Sequence, residues 1–228
     1  MSDALALIAD VADSRNIHDF PARRDRLLDE VSARHRELGW SGVAYAVTAW
    51  DEFQGLIDEP DRLPLVVWDF WRTFQPWSLR LGFGIGAVER DGRVADGLPL
   101  NRAVTGEAFF HARSALDRLS EPRHGLGRVR VRVAGDDASR VSACNGVLRL
   151  ADALVGDITD RQWQVIGEYE QLGKQTDVAR RLEVSESTVS RTLAVSRYWE
   201  IKASLSDLER TLARRLRDTR SVAGKGVR

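Results

Sequence analysis

Cysteine is nearly missing from this chain: Cys144 is the only one. An intrachain disulfide and a cluster of cysteine metal ligands are therefore excluded, and the usage suits a reducing cytoplasm. An excess of one charge is missing too. Lys and Arg number 34, Asp and Glu 34, and the formal net charge is zero. Overall charge thus gives no reason to expect nucleic acid or a membrane surface as partner. Long apolar runs are absent, and none approaches the ~20 residues of a membrane span. The opening MSDALALIADVADSR has no basic n-region, and Asp10 interrupts its apolar run, so it does not read as a signal peptide. The four histidines, His18, His35, His111 and His124, show no metal-ligand spacing and read as ordinary surface or core residues.

What is present is enough for a folded protein. The 228 residues are 43% hydrophobic and 30% charged, which allows one large or two ordinary domains with a buried core. Residues 4–9 form a short continuous apolar run ending at Asp10 and read as a central strand. Pro21 opens a helix to about Leu38, with Leu27, Leu28, Val31 and His35 inward and Gly39 as its stop. Residues 43–47 read as the second strand, with the acidic tip Asp51-Glu52-Phe53 after it. Residues 63–74 read as a helix carrying Trp68 and Trp71. Residues 79–88, LRLGFGIGAV, read as a strand. Its G-x-G-x-G is not a dinucleotide fingerprint; close approach of another backbone or of a ligand explains it better. A polar loop follows at 91–105, then a helix at 106–119. Residues 128–133, RVRVRV, alternate strictly and read as an edge strand with arginines on the wet face. This order predicts an α+β fold: a ferredoxin-like, mostly antiparallel sheet with helices over residues 1–138. Residues 139–156 read as a linking helix, and 157–228 as an all-α domain.

The helical part carries the sharpest motif. Thr159 caps a helix that Gly173 ends. Thr176 can cap a short helix with Val178, Ala179 and Leu182 inward. Glu183-Val184 makes a turn, and Ser185 caps a helix with Val189 and Leu193 inward. A small residue in the first helix, an apolar residue in the turn and another five positions on is helix-turn-helix spacing. The pattern A-x-x-L-x-V-S-x-x-T-V-S-R-x-L resembles the helix-turn-helix of sigma-factor region 4 and of LuxR-type regulators. Such a unit binds double-stranded DNA. Ser185, Ser187, Thr188, Ser190 and Arg191 offer hydroxyls and a guanidinium to a major groove, and Arg180, Arg181 and Arg197 can reach its phosphates. Over residues 156–228 about 14 basic side chains meet 11 acidic ones. A single copy is therefore expected to bind weakly, and a homodimer would double the contacts. Ile201, Leu205, Leu208 and Leu212 form a two-heptad stripe on a long last helix, either a short dimer seam or a face packed on its own domain.

Four stretches of the N-terminal half resemble a known fold. ALIADVADSR resembles the first strand of class III nucleotide cyclases. TAWDEFQG resembles their metal hairpin and that of GGDEF proteins. LRLGFGIGAV and GEAFFHARSAL resemble a later strand and the helix after it. With the C-terminal motif, this order is similar to SatD-type proteins over nearly the whole chain. The resemblance implies a nucleotide-cyclase-like domain in which Asp10, Asp51 and Glu52 hold Mg²⁺ or Mn²⁺. It also implies that Ser14 and Arg113 face the phosphates of a nucleotide. Two positions depart from the pattern: Trp50 replaces the glycine before the hairpin aspartate, and Phe109 replaces the cyclase asparagine. The leading expectation is a cytoplasmic, DNA-binding regulator whose first domain senses a metal-nucleotide ligand. A metal-dependent cyclase or other nucleotidyl-transfer enzyme is the second reading, and a catalytically dead interaction scaffold the third.

Overall fold

The structure is a computed structural model that describes residues 3–90, 104–119 and 129–223; at 90 and 214–223 it describes the backbone alone. The polar loop expected at 91–105 therefore lies almost wholly outside the described residues, as do Arg128 and His124. Strand β1 (Ala4–Val11) leads through a 3-10 turn into α1 (Phe20–Glu37), then β2 (Ala46–Val47), β3 (Glu52–Ile57), α2 (Leu63–Thr73) and β4 (Leu79–Gly86). A short ribbon of β5 (Glu89–Arg90) and β6 (Val104–Thr105) precedes α3 (Glu107–Asp117) and β7 (Val131–Ala134). Five helices follow: α4 (Ala138–Gly156), α5 (Asp160–Leu172), α6 (Gln175–Arg181), α7 (Glu186–Val195) and α8 (Tyr198–Ala223).

The main sheet has five strands in the order β2-β3-β1-β4-β7. Neighbours among the first four are antiparallel. β7 lies parallel to β4, which makes the sheet mixed. RVRVRV is thus an edge strand as expected, but shorter and with a different dress. Arg130 is not on a wet face: its guanidinium and backbone N–H bind the buried carboxylate of Asp152 on α4. The second strand is also shorter than expected, because only Ala46 and Val47 pair with β3.

Strand β1 is buried along its whole length, and its alternation sorts the layers. Leu5, Leu7, Ala9 and Val11 face a large core shared with α1, α2 and α4. Ala6 and Ile8 face α3 through Ala108, Ala112 and Leu116. On that face β4 carries Gly82, Gly84 and Gly86. A methyl at Gly84 would lie 1.9 Å from the Ala108 carbonyl oxygen, and one at Gly82 2.6 Å from that of Ala112. The glycines are there because the backbone of α3 rests directly on the strand.

The helical part shares the main core. Trp163 on α5 is 5.6 Å from Trp68 on α2, ring to ring. Glu170 on α5 accepts from the Trp68 indole at 2.9 Å and pairs with Arg72 at 3.3 Å and Lys202 at 3.1 Å. Ile201, Leu205, Leu208 and Leu212 of α8 are buried within this one chain, where α8 packs on α2 and α4. The stripe is therefore a packed face and not a free dimer seam. Among the described residues, no helix is long and apolar enough to cross a membrane.

A buried polar chain ties α1 to α2. His35 is fully buried, with Nδ1 2.6 Å from the Tyr45 hydroxyl and Nε2 2.9 Å from Asp69 Oδ2. Asp69 also accepts from Arg34 at 2.9 Å and Arg72 at 2.7 Å. An ionised carboxylate only accepts, so Nε2 donates to it. Burial alone would raise Asp69, but His35, Arg34 and Arg72 hold its carboxyl far below the usual carboxylate range. Burial and the Asp69 charge push the Tyr45 phenol up, so it keeps its proton.

Candidate functional site

Antiparallel register gathers one set of expected residues. Asp10 on β1 lies directly opposite Glu52 on β3 and Arg80 on β4. Opposed residues share a face, so all three side chains emerge on the α3 side of the sheet. Asp51 sits in the turn before Glu52, where its carbonyl accepts from the Val11 N–H at 3.1 Å. Ser14, in the 3-10 turn after β1, donates from Oγ to Asp51 at 3.3 Å. Arg113 reaches the same place from the last turns of α3. The structure thus brings together all five residues expected at a metal-nucleotide site.

Two arginine forks organise the cluster. Arg80 binds both oxygens of Asp10 at 2.7 Å each. Arg113 binds both oxygens of Glu52 at 2.6 and 2.8 Å, and Thr48 adds a bond to Glu52 at 2.8 Å. Planar, two-pronged pairing of this kind is the strong form of ion pair. Burial raises the Asp10 carboxyl; Arg80 pulls it down, and the charges of Asp51 and Glu52 push it up again. Burial would raise Glu52 as well, but Arg113 and Thr48 draw it below its ordinary value. Among the described residues, three carboxyl groups therefore face two guanidiniums.

The donor set is right in kind for a hard divalent cation, which takes carboxylate oxygens. As placed, it is closed: the oxygens of Asp10 and Glu52 are engaged by arginine. Asp10, Asp51 and Glu52 do not bring one oxygen each within 4.8 Å of the other two. The two departures from the cyclase pattern take different places. Trp50 is 56% exposed at the turn, its ring leaning on Phe20 at 5.8 Å and its carbonyl accepting from Arg24. Phe109 packs in the apolar clusters with Val104, Leu56 and Ala6, so its position offers no hydrogen-bonding group to the acids. Sequence reading missed Arg80, Thr48 and Arg24. For Arg80 a signal existed: in LRLGFGIG it shares the face of Gly82 and Gly84, two and four positions on.

The second set of expected residues lies on the helices. α5 opens with a Thr159–Gln162 capping box and closes at Gly173, whose φ is 73°. α6 begins at Gln175 with Lys174 at its cap position, not at Thr176. Glu183 turns the chain with φ 54°. Ser185 caps α7, its Oγ accepting from the Thr188 N–H at 3.1 Å and lying 2.9 Å from Ser187 Oγ. Val189 and Leu193 are buried, while Ser187, Thr188, Ser190 and Arg191 are exposed on one face. Arg180, Arg181 and Arg197 are also exposed and pair with Asp177, Glu168 and Glu200. Of the basic residues Arg210, Arg214, Arg215, Arg217, Arg220, Lys225 and Arg228, only Arg210 has a described side chain.

These features define an α+β protein with an acid–arginine cluster at one end of its sheet and a run of helices behind it. The chain matches the SatD family over residues 4–208 and belongs to it. None of the curated proteins matches it. Among solved structures it has a faint likeness to a regulator of polyketide synthase expression from Bifidobacterium adolescentis. The identity is 13%, the cover 92% of this chain and 81% of that one, and the TM-score 0.27, too low to carry an argument.

Proposed function

We propose that this SatD-family protein is a DNA-binding regulator whose sheet domain senses a nucleotide. The observation that carries the DNA reading is the exposed face of α7. Ser187, Thr188, Ser190 and Arg191 are exposed above a buried Val189–Leu193 seam, the arrangement a helix-turn-helix uses to enter a major groove. The spacing of Ala179, Val184 and Val189 supports the same reading. Arg191→Ala is expected to weaken DNA binding about 5- to 150-fold, equivalent to ~1–3 kcal/mol, in anisotropy titrations against a sequence selected from a random pool. Arg191 is exposed, so the variant should fold normally. Unchanged affinity would remove α7 as the reading helix.

The sensing reading rests on the acid–arginine cluster. Asp10, Asp51 and Glu52 would hold Mg²⁺ or Mn²⁺, which when bound neutralises phosphate charge. Arg80 and Arg113, exchanged off their carboxylates, would then pair with the phosphates, a geometry that suits both guanidiniums. Ser14 orients Asp51. The ferredoxin-like strand order supports this reading, and the apolar packing of Phe109 favours sensing over turnover. A nucleotide at 100 times its Kd should stabilise the wild type by about 2.7 kcal/mol when metal is present, and leave Asp51→Ala unmoved. If no nucleoside triphosphate shifts the wild type, sensing fails while the DNA reading keeps its own test.

A further inference from the structure

At the opposite end of the sheet from Asp10, a second group of ligating side chains converges. Glu107 and His111 sit one turn apart on α3, and Asp136 follows the end of β7. One ligand atom from each lies within 4.8 Å of the other two. Glu107 is exposed beside the strand end, where a methyl on Gly86 would come 3.3 Å from its Cγ. His111 Nε2 is closed to solvent and makes no hydrogen bond among the described residues. Yet Asp136 Oδ1 is only 3.4 Å from it, a contact without hydrogen-bond alignment.

That spacing has a meaning for zinc. Zn–N is about 2.0–2.1 Å and Zn–O about 2.0–2.2 Å, so two ligands on a tetrahedral edge stand about 3.4 Å apart. We infer that Glu107, His111 and Asp136 form a Zn²⁺ site, with water in the fourth position. One imidazole and two carboxylates favour zinc over Mg²⁺, which prefers all-oxygen octahedral surroundings. The site clips the first turn of α3 to the turn beyond the edge strand. The same helix carries Arg113 further along, so zinc would steady the element that reaches the acid cluster.

The purified full chain, stripped of metal, would be titrated with Co²⁺ and then Zn²⁺. The expected result is one equivalent of cobalt with the intense visible bands of a tetrahedral site, bleached by one equivalent of zinc. His111→Ala and Asp136→Asn should each weaken binding at least 100-fold. Asp136 is 79% exposed in its side chain, so its replacement leaves the fold intact. Three results would overturn the assignment: no tetrahedral spectrum, equal affinity in both variants, or binding lost in Asp51→Ala and kept in His111→Ala.

Discussion

Asp69→Ala is expected to cost about 3–5 kcal/mol in urea unfolding, the range found when one member of a buried charged network is removed. The loss would strand His35 Nε2, and Arg34 and Arg72 would each lose a carboxylate within 3 Å. Asp69→Asn keeps the shape and one acceptor and should cost less. A cost below about 1 kcal/mol for the alanine variant would show that the network is not holding α1 to α2. The pH dependence has a definite sign. Asp69 is depressed in the fold, so its stabilisation is complete above its unfolded value of ~3.9 and is lost as pH falls through the lower folded value. Glu52 is also depressed and acts with Asp69, while Asp10 and Asp152 are raised and act oppositely, favouring the fold as pH falls. Acid loss below about pH 4 should therefore be present in the wild type and much reduced in Asp69→Asn.

Gly84→Ala is the second large effect. The added methyl would meet the Ala108 carbonyl oxygen at 1.9 Å and the Ala112 nitrogen at 2.4 Å, both backbone atoms of a helix with little room to yield. α3 would have to lift from the sheet, taking Ala6 and Ile8 out of their contacts and Arg113 away from Glu52. A cost of about 3 kcal/mol is expected, at the upper end of ordinary overpacking. Leu150→Ala, at a position 71% exposed, serves as the contrast and should change stability little. Equal stability of Gly84→Ala and wild type would mean that the close seating of α3 is wrong.

Much of this was legible in the residues. Continuous burial of β1, the amphipathic α1 and the glycines of β4 each announce themselves by period or composition. So do the caps at Thr159 and Ser185, because capping is a local act of one side chain on a nearby N–H. The acid site was legible through family resemblance more than through its own residues. No local pattern says that Asp10 will face Glu52, since that follows from register between strands 42 positions apart. The direction of β7 was hidden for a similar reason: a strand's own sequence does not reveal whether its neighbour runs with it or against it. His35 and His111 looked ordinary because their partners, Asp69 and Asp136, lie far along the chain.

The position of α8 has a consequence for how the chain is made. Its residues Ile201 to Leu212 cover α2 and α4, but they leave the ribosome last among the described core. At about 5–20 residues per second, several seconds separate the synthesis of α4 from that of its cover. During that interval the nascent chain carries the apolar flanks of Trp68 and Leu148 without their final lid. Until α8 emerges, α2 and α4 lack that cover, and translation stalled within α7 should yield a sticky rather than a settled product.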